Sequence, residues 1–431
     1  MIIINYKRLN MNKTLLTFAT LTLLNNTVIA EEKHSHDEDN KTTIQIQSIR
    51  GLLGNNDPIK HMRGQVRAGY IHLKEDALEK TSAYGLAGHV HFDSKKWYGL
   101  SVGASAYALL NPTQNQNRPE LNADFFDADG KSFLLISEAY MHGQWGNTEL
   151  KFGRQILDTP HADSDDIRLI PNYFEAYTLS NTDIKDLTLT TGLIRKMAGW
   201  ENGVDSSEFA HISQTLGAES TDGIMYVAGI YDGITDVSLS LWYYHYADIA
   251  NILYAEAGYT LHTSKYLDIT FGLQYDASWD TGKTLLQAQD ARTFGASIEL
   301  VSEEIGVHVL MAYNKDNGST GASGLSLGGG ALFTSMEDQT LDAMGQAGES
   351  WVLGLGYHFE ALDIEGLNAG IAYGSFQAVD ASSYEVTELD AVVEYSFNER
   401  FSMVLAYADI DSKTDALTDY TQVRIVANYN F

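Results

Sequence analysis

The segment DTPHADSDDIRLIPNYFEAY, residues 158–177, crowds Asp158, His161, Ser164, Asp165, Asp166 and Arg168 into its first eleven positions. Carboxylates, a guanidinium and an imidazole in one segment can orient charged or dipolar solutes, and the imidazole is the group that titrates near neutral pH. Covalent chemistry has less support. The chain contains no Cys, which removes thiolate catalysis, Cys-based zinc sites and disulfide frameworks together. An enzyme would need an activated nucleophile, and no G-x-S-x-G or other local nucleophile signature is present.

Other candidate motifs weaken on inspection. DFFDADGK (124–131) hints at a calcium loop, but placing Gly130 at the turn puts Phe125 where the first ligand belongs and Ile136 where a Glu should stand. GLSLGGG (324–330) lacks the Lys-Ser/Thr ending of a phosphate loop and reads as flexible surface. EEKHSHDEDNKTT (31–43) offers His34, His36 and Asp37 to a metal, yet it has no periodicity and reads as a solvated, disordered tail. We therefore expect no cofactor and no metal site.

The elements that must position the charged segment are strands. In RGQVRAGYIHL (63–73), Val66, Ala68 and Tyr70 oppose Arg63, Gln65 and Arg67. In YLDITFGLQYD (266–276), Leu267, Ile269, Phe271, Leu273 and Tyr275 oppose Asp268, Thr270, Gly272, Gln274 and Asp276. EVTELDAVVEYSF (385–397) and the terminal TQVRIVANYNF (421–431) alternate in the same way, the last ending on an apolar-parity Phe431. Period-two segments of this kind recur about 18 times from residue 61 onward. Short connections such as 93–96, 231–236, 262–265, 302–304 and 397–400 alternate with long ones at 109–132, 156–171, 197–221, 277–290, 316–349 and 411–420.

That layout predicts an all-β fold: a transmembrane antiparallel β-barrel with short periplasmic turns and long extracellular loops. Only a closed sheet leaves no unpaired strand edge in hydrocarbon, and a barrel of this size is wide enough for an aqueous channel. Mean hydropathy is −0.19, which excludes a bundle of apolar helices. Residues 11–30 carry Lys13, an apolar run and Val28-Ile-Ala30, the pattern of a signal peptide cleaved after Ala30. The expected organisation is thus a signal peptide (1–30), a polar N-terminal segment (31–60) and a barrel (61–431). Formal charge is −29, and loss of Lys7, Arg8 and Lys13 with the signal brings the mature chain near −32. Such a chain is no partner for nucleic acid, whose binding is driven by clustered Lys and Arg.

The stretch from 138 to 177 carries a more specific likeness. An EAY strand (138–140), a Trp-Gly-Asn turn (145–147), LKFGRQ, a Thr-Pro and R-L-I-P-N-Y-F-E-A resemble the OprD-type family of substrate-selective outer-membrane porins. The length, the loop alternation and the C-terminal Phe agree over nearly the whole mature chain. The C-terminal aromatic also resembles the signal by which bacterial assembly machinery recognises such barrels. The resemblance implies 18 strands, residence in the outer membrane of a Gram-negative bacterium, and a loop at 156–171 that folds into the lumen as the constriction. It places Asp158, His161, Ser164, Asp165, Asp166 and Arg168 on that loop. It also implies a ladder of bases on one wall, and Arg63, Arg67 and Arg424 have the required parity on strands that closure makes neighbours.

The chain departs from that family pattern in its C-terminal strands, which present Asp390 and Glu394 at lumen parity and no inward base. With Glu138, Glu256, Asp268, Asp276 and Glu299, lumen acids outnumber lumen bases. Focusing of the field in a low-dielectric pore then favours cations. The sequence is read as a porin for passive, selective diffusion of small hydrophilic solutes, cationic or zwitterionic, and not as an enzyme. The competing reading is a structural or adhesive surface barrel with little transport. Expected partners are the solutes, outer-membrane lipid and lipopolysaccharide, and the protein is read as a monomer or homotrimer.

Overall fold

The computed structural model describes residues 59–76, 80–113, 120–264, 266–415 and 417–431. The expected signal peptide and almost all of the polar segment, with His34, His36 and Asp37, lie outside the described residues.

Among the described residues, eighteen strands form one closed antiparallel sheet. The first half comprises β1 (Ile59–Glu75), β2 (Thr81–Ser94), β3 (Leu100–Leu110), β4 (Phe133–Trp145), β5 (Thr148–Gln155), β6 (Tyr173–Asn181), β7 (Leu187–Ala198), β8 (Ile224–Tyr231) and β9 (Val237–Tyr246). The second comprises β10 (Ala250–Ser264), β11 (Leu267–Asp280), β12 (Asp290–Ser302), β13 (Val307–Asp316), β14 (Gly348–His358), β15 (Leu367–Ala378), β16 (Glu385–Ser396), β17 (Phe401–Ser412) and β18 (Tyr420–Asn430). Each strand pairs with the next, and β18 closes on β1 with Arg67 opposite Asn428 and Ile71 opposite Arg424. Closure extends to the last residue, because Phe431 exchanges two backbone hydrogen bonds with Gly64 (2.8 and 2.9 Å).

The alternation read from the sequence is the wall's inside and outside. Val66 is 52% exposed and its neighbour Arg67 4%; Leu273 is 64% exposed and Gln274 4%. Apolar side chains thus face the bilayer and polar ones the lumen, as a barrel in hydrocarbon requires. Besides register shifts at two strand ends, between Ile59 and His61 and between His262 and Ser264, parity breaks at two bulges within the wall. Ser105 pairs with Glu138 and Ala106 with Ile136, so Ser137 is the extra residue in β4, and both Ser137 and Glu138 turn inward and are buried. A second bulge lies in β7, where Glu175 pairs with Lys196 and Ala176 with Ile194. A bulge puts two residues against one, which is how adjacent side chains come to share a face.

The turns at one rim are short and most loops at the other long, with 76–80, 247–249 and 379–384 the exceptions among the latter. Several long loops do not project into solvent. They fold into the lumen and bury apolar residues against the wall: Phe125, Phe126, Leu169 and Ile170 on one side, Leu325, Leu327 and Ala331 on a second, and Leu332, Met336 and Leu341 on a third. The stretch 324–330, expected as flexible surface, is corrected by this packing. Leu325 and Leu327 are 4% and 3% exposed and form part of the interior.

Candidate pore constriction

The charged segment of 158–177 is the loop between β5 and β6, spanning 156–172. A two-residue hairpin, Asp158–Thr159 with Ala162–Asp163, gives it a rigid arm inside the barrel. The loop between β13 and β14, 317–347, meets that arm from another side. Asp163 N–H donates to Leu327 O (2.9 Å) and Leu327 N–H to His161 O (3.0 Å), so the two loops join through backbone as well as side chains.

Polar pins tie both loops to the wall. His161 Nε2 lies 2.6 Å from Asp276 of β11 and Nδ1 lies 3.0 Å from Ser326 Oγ, with the ring edge-on to Tyr244 and Tyr254. His161 is 1% exposed and fastens three elements rather than facing the opening. The amide of Gln274 donates to Ala331 O (2.7 Å), and Asn314 accepts from Thr334 N–H (3.1 Å), which fixes the second loop.

The charged groups converge at the loop tips and the β16–β18–β1 wall. Arg67 pairs with Asp166 and also donates to Asn428 (2.9 Å). Arg168 stacks on Trp200, 4.7 Å from the ring centre, and donates to Glu337 of the second loop (2.9 Å). Arg424 pairs with the same Glu337 oxygen, so one carboxylate holds both guanidiniums. The backbone around Glu337 is held in turn: Glu337 N–H donates to Asp390 (3.2 Å), and the N–H groups of Asp338 and Gln339 donate to the two oxygens of Glu388 (2.9 and 2.8 Å). Asp390 and Glu388 therefore cap a loop tip.

Burial alone would raise the Glu337 carboxyl, but Arg424 and Arg168 more than reverse this and hold it at about 2. Asp338, buried and with Glu337 beside it, is pushed up to about 6. Asp165, 7% exposed, is raised well above the ordinary range by burial and by Glu201 and Asp163. Its partner Glu201 is likewise raised, chiefly by burial. Two acids facing each other away from water resist joint ionisation.

The remaining candidates are spread along the wall. Asp158 accepts from the Ser164 hydroxyl (2.8 Å) at an exposed point of the loop. Glu138 lies 2.8 Å from His91, whose other nitrogen is 3.1 Å from Asp93. Arg63 pairs with Asp93 (3.1 Å) with 60% of its side chain open, four residues below Arg67 and away from the loop tips. Asp268 pairs with His262 (2.7 Å) beside the short β10–β11 turn. Glu394 is buried near the periplasmic end of β16, also away from the tips. Sequence reading missed Glu337 and Trp200, and placed Glu388 on the polar face of its strand without a role. The available signal was the apolar content of 317–347: a loop meant for water does not carry Leu325, Leu327, Leu332 and Phe333.

Comparison with known proteins agrees with this architecture. The model of an outer membrane porin family, OprD, matches residues 137–431. No curated protein matches the sequence. Among solved structures, OccK9 (OpdG) of Pseudomonas aeruginosa superposes with a TM-score of 0.74 at 19% identity, covering 86% of this chain and 97% of that one. OccAB3 of Acinetobacter baumannii gives 0.74 at 14% identity, covering 86% and 98%. OpdK of Pseudomonas aeruginosa, solved with vanillate, gives 0.71 at 17% identity with the same coverage. With a family match over most of its length and a closed barrel whose loops converge in the lumen, the chain belongs to the OprD family of outer membrane porins, channels rather than enzymes, of the Gram-negative outer membrane.

Proposed function

We propose that this porin is a cation-preferring channel for small hydrophilic solutes, with the 156–172 loop and the tip of 317–347 forming its constriction. One observation carries the charge preference. The three guanidiniums that converge there are covered, with Arg67, Arg168 and Arg424 side chains only 5%, 4% and 4% exposed and each held by a carboxylate. Glu337 is covered with them at 2%, whereas two carboxylates at the same place stay accessible: Asp166 and Asp124 are each 44% exposed. A passing solute meets acids first, and fixed negative charge in a narrow low-dielectric passage concentrates cations. OpdK was solved with vanillate, a carboxylate. The paired state of the arginines here argues for a different preference, toward cations and zwitterions that lead with their ammonium group.

Transport of this kind is passive. The constriction screens size, opposed charges orient the solute dipole, and no bond is made or broken. The test is the reversal potential of the purified protein in a planar bilayer under a salt gradient, for wild type and Asp166→Asn. A cation-selective wild type whose preference falls when Asp166 loses its charge and Arg67 loses its partner supports the reading. An anion-selective pore overturns the charge assignment, and a barrel that passes no current would favour a structural or adhesive role.

A further inference from the structure

We propose that the lipid-facing wall of β8–β13 carries a binding site for lipid A, the multiply acylated, phosphorylated glycolipid of the outer leaflet. The outer face of these strands carries an open groove with a volume of about 960 Å³. That is far larger than a packing void and at the upper end of ligand pockets. Its floor is made by small residues, Gly229, Ala255, Ala257 and Ala296, and its sides by large ones such as Leu241 and Tyr275.

The depression has a direction. Gly229 stands opposite Leu241, Leu241 opposite Ala255, and Ala255 opposite Tyr275; Tyr275 stands opposite Phe294, and Phe294 opposite Lys315. This is one cross-strand row over six strands. Because strands in such barrels tilt by roughly 35–45°, the row climbs obliquely, from Gly229 near the β8–β9 turn to Lys315 at the extracellular end of β13. An apolar hollow at membrane depth is filled by hydrocarbon, since water there would lack partners.

The upper end selects the lipid. Lys315 and Arg292 lie there on the outward face, with 47% and 56% of their side chains open. Each rests on an acid, Glu349 at 3.1 Å and Asp290 at 3.1 Å, in exposed pairs of the kind worth little in free energy. Both bases can turn to a phosphate at headgroup level, where each adds to the attraction for anionic lipid. The lower end is lined by Leu187, Gly229, Tyr231 and Leu239, none of them a base. A phospholipid of the inner leaflet would set its phosphate against that apolar end, so the outer-leaflet glycolipid is the occupant the charges fit.

The test is native mass spectrometry of the full-length barrel in mild detergent, titrated with purified lipid A or with phosphatidylethanolamine. Wild type should hold one lipid A in preference to phosphatidylethanolamine. Ala257→Phe/Ala296→Phe, which fills the hollow, and Lys315→Gln/Arg292→Gln, which strips the rim, should each weaken the lipid A adduct by about tenfold or more. Neither pair touches the lumen, so single-channel conductance should stay at the wild-type value and certify the fold. The rim variants keep the test open if the filled hollow misassembles. Equal adducts in wild type and both variants, a preference for phosphatidylethanolamine, or a change of oligomeric state in place of lipid loss would each overturn the proposal.

Discussion

Adjacent residues in the inner loop are set to behave differently. Asp165 and Asp166 differ by one position, yet Asp165 is buried against Glu201 and held toward its neutral form, whereas Asp166 is 44% exposed and paired with Arg67. Asp165→Asn should therefore leave the reversal potential close to that of wild type, and Asp166→Asn should move it toward anions. Equal shifts from the two single variants would show that the burial of Asp165 is not what governs its charge. A pH dependence follows from the second loop. Asp338 is raised to about 6 and Glu337 lowered to about 2. As pH falls from 7 to 5, Asp338 takes up a proton while Glu337 stays ionised on Arg168 and Arg424, so the lumen becomes less negative with its latch intact. Cation preference should decline across that window without a jump in conductance. The stability sign is separate: a carboxyl whose folded pKa lies above its unfolded value binds its proton more tightly when folded, so Asp338 stabilises the fold increasingly as pH drops through 6 toward 4. A selectivity that stays flat from pH 7 to 5 would contradict the role given to Asp338.

At the scale of elements, the unit that shapes the pore is the junction of two loops rather than either one alone. Gly328 shows how close that junction is. It has φ +97°, and a Cβ built there would lie 2.3 Å from Asp163 O and 2.7 Å from the Asn172 amide. Gly328→Ala should thus be strained in its backbone and clash with the 156–172 loop, on the order of 1–3 kcal/mol, spent on separating the loops and not on unfolding the barrel. Faster amide exchange at 161–165 and 325–328, with a noisier open channel and an unchanged unfolding midpoint, is the expected outcome. The strands and the 156–172 loop were legible because each depends on local pattern: period-two alternation in one case, a compact motif in the other. The second loop was not. Its Leu325 and Leu327 look like loop residues in chain order, and Glu337 becomes significant only beside Arg168 and Arg424, partners 169 and 87 residues away. The β4 bulge at Ser137 was not legible either, since an extra residue leaves no mark in the composition of a strand.

Across the whole molecule, closure converts one rule of alternation into two solvents. The same strand must satisfy hydrocarbon on one side and a charged interior on the other, and the final strand states this in eleven residues, Tyr420–Asn430. Its outward set includes Val423, Ile425 and Tyr429, while Gln422, Arg424 and Asn428 turn toward Asp338, Glu337 and Arg67. An arginine is therefore accommodated or rejected according to parity and depth, with no change in strand propensity to confuse the comparison. Ile425→Arg places a guanidinium in the bilayer and should destabilise the barrel by about 2–4 kcal/mol if it lies near the midplane. Asn428→Arg places the same group in the lumen beside Arg67 and should lower stability far less, while moving selectivity toward anions. Urea unfolding in lipid vesicles followed by tryptophan emission measures the first effect, and the reversal potential measures the second. Equal destabilisation by the two arginines would mean that β18 does not separate lipid from water, and the barrel as described here would have to be redrawn at its seam.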